Sequence, residues 1–202
     1  KVETQLIKNF KDITEVETYL KSRIEAFQDF PHPPVNFKDI STILYYPELY
    51  QTASHYLKEL LPKDKQGNFM FNKIICLDAR GFLFGLTLAS AASVPLIMAR
   101  KKDKLPGKKI TQKFKKEYKA DGGKEFEIIQ IRAGLIGPGD RVLIHDDLFA
   151  TGGTANAVAR LVLKCGAEIA GFHFVMELPF LSGRKLIQKH VSNDRIVSLV
   201  KY

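Results

Sequence analysis

A chain of 202 residues with 45% hydrophobic content can bury one sizeable core but is too short for two full-sized domains. No apolar stretch approaches the ~18 residues of a membrane span, and residues 1–20 lack the basic-then-apolar order of a secretory leader, so a soluble, cytoplasmic protein without a membrane partner is expected. The formal charge of +9 is local: residues 100–119 carry ten Lys or Arg against Asp103 and Glu117, a segment charge of +8. Such a patch can hold nucleic acid, an anionic membrane surface or a small polyphosphate, or can be a solvated loop.

In chain order, Ile13, Val16, Leu20, Ile24 and Phe27 recur at three- and four-residue steps, which predicts an amphipathic N-terminal helix ending near Pro31. The proline-rich stretch 31–34 cannot continue a helix, and a second helical pattern runs from near Pro47 to about Leu61. Residues 63–68 read as a polar turn. Apolar runs of strand length follow at 74–77, 95–98, 142–144, 170–176 and 196–200, with helical patterns after Arg80 and after Gly153. That alternation predicts an α/β fold, a parallel sheet covered on both faces. Between Lys104 and Gln130 the pattern gives way to Gly, Lys and the alternating Phe126 and Ile128, which suggests a flexible hairpin or lid. Cys76 and Cys165 lie in apolar runs without metal or redox spacing and are expected to be buried thiols.

The segment richest in chemistry is Val142-Leu143-Ile144-His145-Asp146-Asp147-Leu148-Phe149-Ala150-Thr151-Gly152-Gly153-Thr154. It reads as a buried strand, two carboxylates at its carboxyl end, a Gly-containing loop and a helix starting near Thr154. Ligands of open α/β sheets bind outside the carboxyl ends of strands, and the free amides of a helix N-terminus attract phosphate. Glycines let the backbone approach the anion, and Thr151 and Thr154 add hydroxyl donors. Two acids beside a phosphate loop would repel the ligand if they faced it. They are better suited to accepting hydrogen bonds from sugar hydroxyls or to holding a water-bound Mg²⁺, which points to a ribose phosphate. The spacing matches neither a nucleoside triphosphatase loop nor a dinucleotide fingerprint. The competing reading is a plain strand-to-helix turn with two solvated aspartates.

This segment resembles the phosphoribosyl pyrophosphate signature of the type I phosphoribosyltransferases. Further stretches are similar to the adenine phosphoribosyltransferase branch of that family: FPHPPVNFKDIS at 30–41, LDARGFLFG at 77–85, RKKDKLPG at 100–107, Glu117-Tyr118, and Met176-Glu177-Leu178 followed by Gly183-Arg184. The similarity runs through nearly the whole chain in the family's order. It implies the type I fold, a parallel twisted sheet flanked by helices with an N-terminal hood and a flexible catalytic lid hairpin. Residues 1–202 would form one domain, with the helix and base-binding hood at 1–45 and the lid region at 100–130.

Carried over residue by residue, the resemblance implies that Ala150, Thr151, Gly152, Gly153 and Thr154 bind the 5-phosphate and that Asp146 and Asp147 contact the ribose hydroxyls. Asp78-Ala79-Arg80-Gly81 resembles the family's pyrophosphate loop, with a cis peptide expected at Asp78-Ala79. Asp78, Ala79, Arg80, Arg100, Lys101 and Lys104 would bind pyrophosphate, and the resemblance leaves room for one of these cations to come from the neighbouring subunit of a homodimer. Val35, Asn36 and Lys38 match the segment whose backbone holds adenine, with Leu148 and Leu178 as apolar walls; Asn36 and Pro34 depart from residues common there. Glu117 and Arg80 are the expected catalytic residues, Glu117 managing the proton on the purine imidazole ring and Tyr118 closing over the site as part of the lid. Mg²⁺ would be held through substrate and water, without a direct protein ligand. His145 falls on the opposite side of its strand from the ligand and is assigned a structural role.

The implied reaction is purine salvage: phosphoribosyl transfer from phosphoribosyl pyrophosphate to adenine, giving AMP and pyrophosphate. A 6-oxopurine or xanthine transferase would share the phosphate loop and differ in the base pocket. A non-catalytic regulator of the same fold could bind phosphoribosyl pyrophosphate alone. Nucleic acid is not an expected partner, because the basic stretch has few aromatics for stacking.

Overall fold

The computed structural model describes residues 8–30, 33, 36–115 and 126–202. The chain divides into two compact units, Lys1–Leu60 and Leu61–Tyr202.

In the first unit, helix α1 (Ile13–Lys21) is capped by Asp12, whose carboxylate accepts from the amides of Thr14 at 2.8 Å and Glu15 at 3.1 Å. Its stripe buries Val16 and Leu20. The helix does not reach Pro31 as the periodicity suggests. It closes at Ser22, where the amides of Arg23 and Ile24 both turn back to the Leu20 carbonyl at 3.0 Å. Residues Glu25–Gln28 then form β1, antiparallel to β2 (Asn36–Asp39), with Phe27 opposite Phe37. Side-chain spacing is blind to a partner strand that supplies the backbone hydrogen bonds from ten residues downstream. A short helix α2 (Ser41–Tyr45) precedes α3 (Pro47–Glu59), which starts on the proline as expected.

The second unit carries a seven-stranded sheet in the order β5-β6-β4-β3-β7-β8-β9. Its strands are β3 (Lys73–Leu77), β4 (Leu96–Lys101), β5 (Lys109–Lys115), β6 (Phe126–Arg132), β7 (Arg141–Phe149), β8 (Glu168–Glu177) and β9 (Ile196–Lys201). β4, β3, β7, β8 and β9 are parallel, and all five apolar runs read from the sequence fall on them. β5 and β6 form an antiparallel pair attached to β4 that begins inside the 104–130 segment and ends two residues beyond it at Arg132, and their connection, 116–125, lies outside the described residues. The polar turn at 63–68 is built on Asp64, which accepts from the amides of Gln66 and Asn68 at 2.9 Å.

Helices α4 (Gly81–Ala92) and α5 (Gly153–Lys164) follow β3 and β7 and cover opposite faces of the sheet. Ile75, Ile97, Val142 and Ile144 share a buried cluster with Val158, Leu161 and Val162 of α5. On the other face α4 lies so close that a Cβ on Gly85 would overlap the Cys76 sulfur and approach His145 to 3.4 Å. Cys76 is buried, but Cys165 is only partly so, at the C-cap of α5, which corrects the expectation of two buried thiols. The short α6 (Arg184–Ile187) lies between β8 and β9.

Candidate active site

From β3 the chain crosses to β4 on one side, whereas β7 pairs on the other side of β3. Strand order therefore reverses between β3 and β7, and the crevice beyond their carboxyl ends is where an open α/β sheet has room for a ligand. Two loops border it, 78–81 after β3 and 150–153 after β7.

The first loop contains a cis peptide at Asp78-Ala79, as expected. The Asp78 carboxylate accepts from Arg100 Nε at 2.9 Å and from the Lys101 amide at 3.2 Å, which fastens the loop to the end of β4. Burial pushes the Asp78 carboxyl up, but those two hydrogen bonds and the neighbouring cationic charges outweigh it and hold the group below the usual range. Arg80 reaches across the crevice, its Nε 2.8 Å from Asp147 Oδ2.

At the end of β7 the side chains alternate. His145 turns into the sheet's interior, with Nδ1 3.1 Å from Nδ1 of His173 on β8, so one ring donates and the other accepts. Burial, and next the charge of His173, hold His145 well below its ordinary pKa, in its neutral form. The two aspartates close the floor of the crevice, and the Asp147 amide donates to Asp146 Oδ1 at 2.9 Å. Burial, and then the neighbouring Asp147 charge, push the Asp146 carboxyl well above its usual value; burial also raises Asp147, against the pull of Arg80. Such a pair gains from a ligand that brings hydroxyl donors or a cation. Gly81 opens α4 here because a Cβ would lie 2.8 Å from Asp146 Oδ1.

The second loop wraps a hollow of about 80 Å³ lined by residues 148–155 together with Asp146 and Phe174. Gly152 sits at φ 85°, a left-handed conformation that turns the chain into α5. Phe149 and Phe174 stack at 4.3 Å among its lining residues. A second hollow of about 200 Å³ is lined by Asp78, Ala79, Arg80, Lys101 and the two aspartates, and by Phe114 and residues 127–129 of the hairpin. Asp146, Leu148 and Thr154 line both. The crevice thus has an amide-lined end for a small anion, acids in the middle and a cationic end.

The chain matches the family described as a phosphoribosyl transferase domain over residues 39–198. It belongs to the phosphoribosyltransferase family. Among curated relatives, the adenine phosphoribosyltransferase of Desulfitobacterium hafniense is 38% identical over 179 residues, 89% of this chain and 95% of that protein. Among solved structures, the adenine phosphoribosyltransferase of Rhodothermus marinus matches with a TM-score of 0.79 at 35% identity, covering 94% of this chain and 99% of that one. The Saccharomyces cerevisiae enzyme, solved with adenine and an imino-altritol bisphosphate, matches with a TM-score of 0.77 at 33% identity, covering 92% and 99%.

The phosphoribosyltransferase signature residues come together as one crevice wall: Asp146, Asp147, Ala150, Thr151, Gly152, Gly153 and Thr154 all line one of the two hollows. Asp78, Ala79, Arg80 and Lys101 line the larger one; Arg100 stands behind them, held by Asp78, and Lys104 lies exposed in the turn after β4. Leu148 is at the junction, and Leu178 is tied to the strand end by its amide, which donates to the Phe149 carbonyl at 2.8 Å. Asn36 and Lys38 lie on β2 of the first unit, while Val35, Glu117 and Tyr118 fall outside the described residues. Phe114, Glu127 and the Phe149–Phe174 stack are crevice residues that the sequence reading passed over. The alternation around Phe126 and Ile128 placed a hairpin there but carried no sign of which face it turns to the crevice.

Proposed function

We propose that this protein transfers the 5-phosphoribosyl group from phosphoribosyl pyrophosphate to adenine, forming AMP and pyrophosphate in purine salvage. The observation that carries the reading is the switch-point crevice, whose phosphate loop, acidic pair and cationic residues line two adjoining hollows that share Asp146, Leu148 and Thr154. That sequence of groups matches a 5-phosphate, a ribose and a pyrophosphate.

Cleaving the bond between ribose C1 and pyrophosphate builds positive charge on the sugar and negative charge on the departing oxygens. Arg80 and Lys101 face the leaving group's end, where fixed cations stabilise it most as the bond lengthens. Arg100 acts through Asp78 by holding the 78–81 loop in place. Asp146 and Asp147 accept the ribose hydroxyls, which relieves two crowded carboxylates and orients C1. No cluster of three or more potential metal ligands occurs among the described residues. The acidic pair beside the cationic hollow instead fits a hydrated Mg²⁺ that arrives on the substrate phosphates, where it would neutralise leaving-group charge.

Leu148, at the junction of the two hollows, and Leu178 serve as apolar walls for the adenine ring. Glu117 handles the imidazole proton while the 100–130 lid, with Tyr118, keeps water out. In this reading the chain is a single phosphoribosyltransferase domain with its hood at 1–45, supported by a family match over residues 39–198 that begins within the first compact unit and runs through the second. The assembly is a homodimer: α4 is apolar nearly all round and leaves Leu86 66% exposed, and Met98 of β4 is also exposed. No described helix is long and apolar enough to cross a membrane. The free thiols of Cys76 and Cys165 suit the reducing cytoplasm.

Incubation with adenine, phosphoribosyl pyrophosphate and Mg²⁺ should yield AMP and pyrophosphate in equal amounts, and chelating the metal should stop it. Absence of AMP from folded protein that still binds phosphoribosyl pyrophosphate would overturn catalysis in favour of a regulator. Glu117→Ala should lower kcat by about 10²-fold or more; unchanged turnover would remove Glu117 from proton transfer.

A further inference from the structure

Glu177 and Arg184 line neither hollow of the crevice, yet they form a bidentate ion pair next to its phosphate loop. Glu177 ends β8 and is 2% exposed. Its Oε1 accepts from Arg184 Nε at 2.6 Å and its Oε2 from Nη2 at 2.7 Å, with Ser198 Oγ donating to Oε2 at 2.8 Å. Arg184 Nη1 also donates to Asn193 Oδ1 at 2.9 Å. A planar, two-point pair of this kind fixes direction as well as distance. As a source of stability it is weak, because two charges must be desolvated to form it, so its position calls for another reason.

That reason lies one residue earlier. A Cβ on Gly183 would overlap the Ala150 carbonyl oxygen and lie 3.0 Å from Thr151 C and 3.1 Å from the Gly152 nitrogen. From the other side, a Cβ on Gly152 would lie 2.8 Å from the Gly183 oxygen. The two backbones are thus pressed together with no side chain between them, directly behind the loop that wraps the smaller hollow. The segment is also tied on both flanks, by the Leu178 amide to the Phe149 carbonyl and by His190 Nε2 to Asn156 Oδ1 of α5 at 2.8 Å.

We propose that the Glu177–Arg184 pair is a positioning device for the 5-phosphate site: it holds the Gly183 backbone against residues 150–152 and so fixes the amides that receive a phosphate monoester. The inference rests on the transferase reading above. Neither residue touches the ligand; both act through Gly183.

Arg184→Lys keeps the charge but cannot bridge both carboxylate oxygens in one plane. It should raise KM for phosphoribosyl pyrophosphate about 10-fold while leaving KM for adenine within about two-fold and the melting temperature nearly unchanged. Gly183→Ala, with the ion pair intact, should give the same split. Calorimetric titration with ribose 5-phosphate, a readout independent of turnover, should show about 10-fold weaker binding in both variants. Equal changes in the two KM values, or wild-type affinity for ribose 5-phosphate in folded Arg184→Lys protein, would overturn the inference while leaving the transferase reading standing. A wild-type protein that neither binds ribose 5-phosphate nor makes AMP would overturn both.

Discussion

Asp146 shows folding and binding pulling in opposite directions. Its carboxyl has a raised pKa in the folded chain, so the stability linked to its proton is present below the unfolded value of about 3.9 and is lost as pH rises through the folded value. Ionising Asp146 in the ligand-free protein therefore costs stability. Asp146→Asn keeps an oxygen for the Asp147 amide and removes the charge. It should stabilise the ligand-free protein at pH 7 by about 1 kcal/mol in chemical denaturation and weaken ribose 5-phosphate binding; a less stable variant would contradict this account of the pair. His145 has the opposite linkage. Its folded pKa lies well below its ordinary value, so the unfolded chain takes up the proton first as pH falls through about 6.5. Stability should fall between pH 6.5 and 5 by up to about 1.4 kcal/mol per pH unit, and a His145→Leu, His173→Leu double variant should show a flatter profile. The acidic pair and phosphate loop were legible in the sequence because their residues are contiguous. The histidine pair was not, because His173 meets His145 from 28 positions away through strand register.

At the scale of elements, the parallel strands are legible as short apolar runs, and the central ones are buried on both faces, as the nearly continuous burial of β3 and β8 shows. The N-terminal helix was overextended because Ile24 and Phe27 keep a helical step by coincidence while their backbone leaves the helix. Ile24 is still buried, but Phe27 is 46% exposed on β1. The approach of α4 to β3 was likewise hidden, since Gly85 signals it only once Cys76 is known to lie beneath it. Gly85→Ala should cost about 1–3 kcal/mol by overpacking, measured by urea denaturation, and adding Cys76→Ala should recover part of that loss. A neutral Gly85→Ala would mean that α4 does not sit so tightly.

For the whole molecule, the order of motifs along the chain foretold a crevice that topology assembles: β3 and β7 are 64 residues apart at Leu77 and Arg141, yet they are neighbours in the sheet. The hairpin's contribution through Phe114 and Glu127 depends on how β6 docks on β4, which composition does not encode. If α4 meets a second copy of the chain, Leu86→Glu should shift sedimentation from dimer to monomer, whereas an unchanged dimer would place the interface elsewhere. The switch-point crevice is read here as transferring a phosphoribosyl group to adenine in particular. That reading is tested most directly by initial rates of nucleotide formation from phosphoribosyl pyrophosphate with adenine, guanine, hypoxanthine and xanthine in parallel. Adenine should show a kcat/KM about 100-fold or more above each oxopurine, and a comparable or higher value for any oxopurine would contradict adenine specificity.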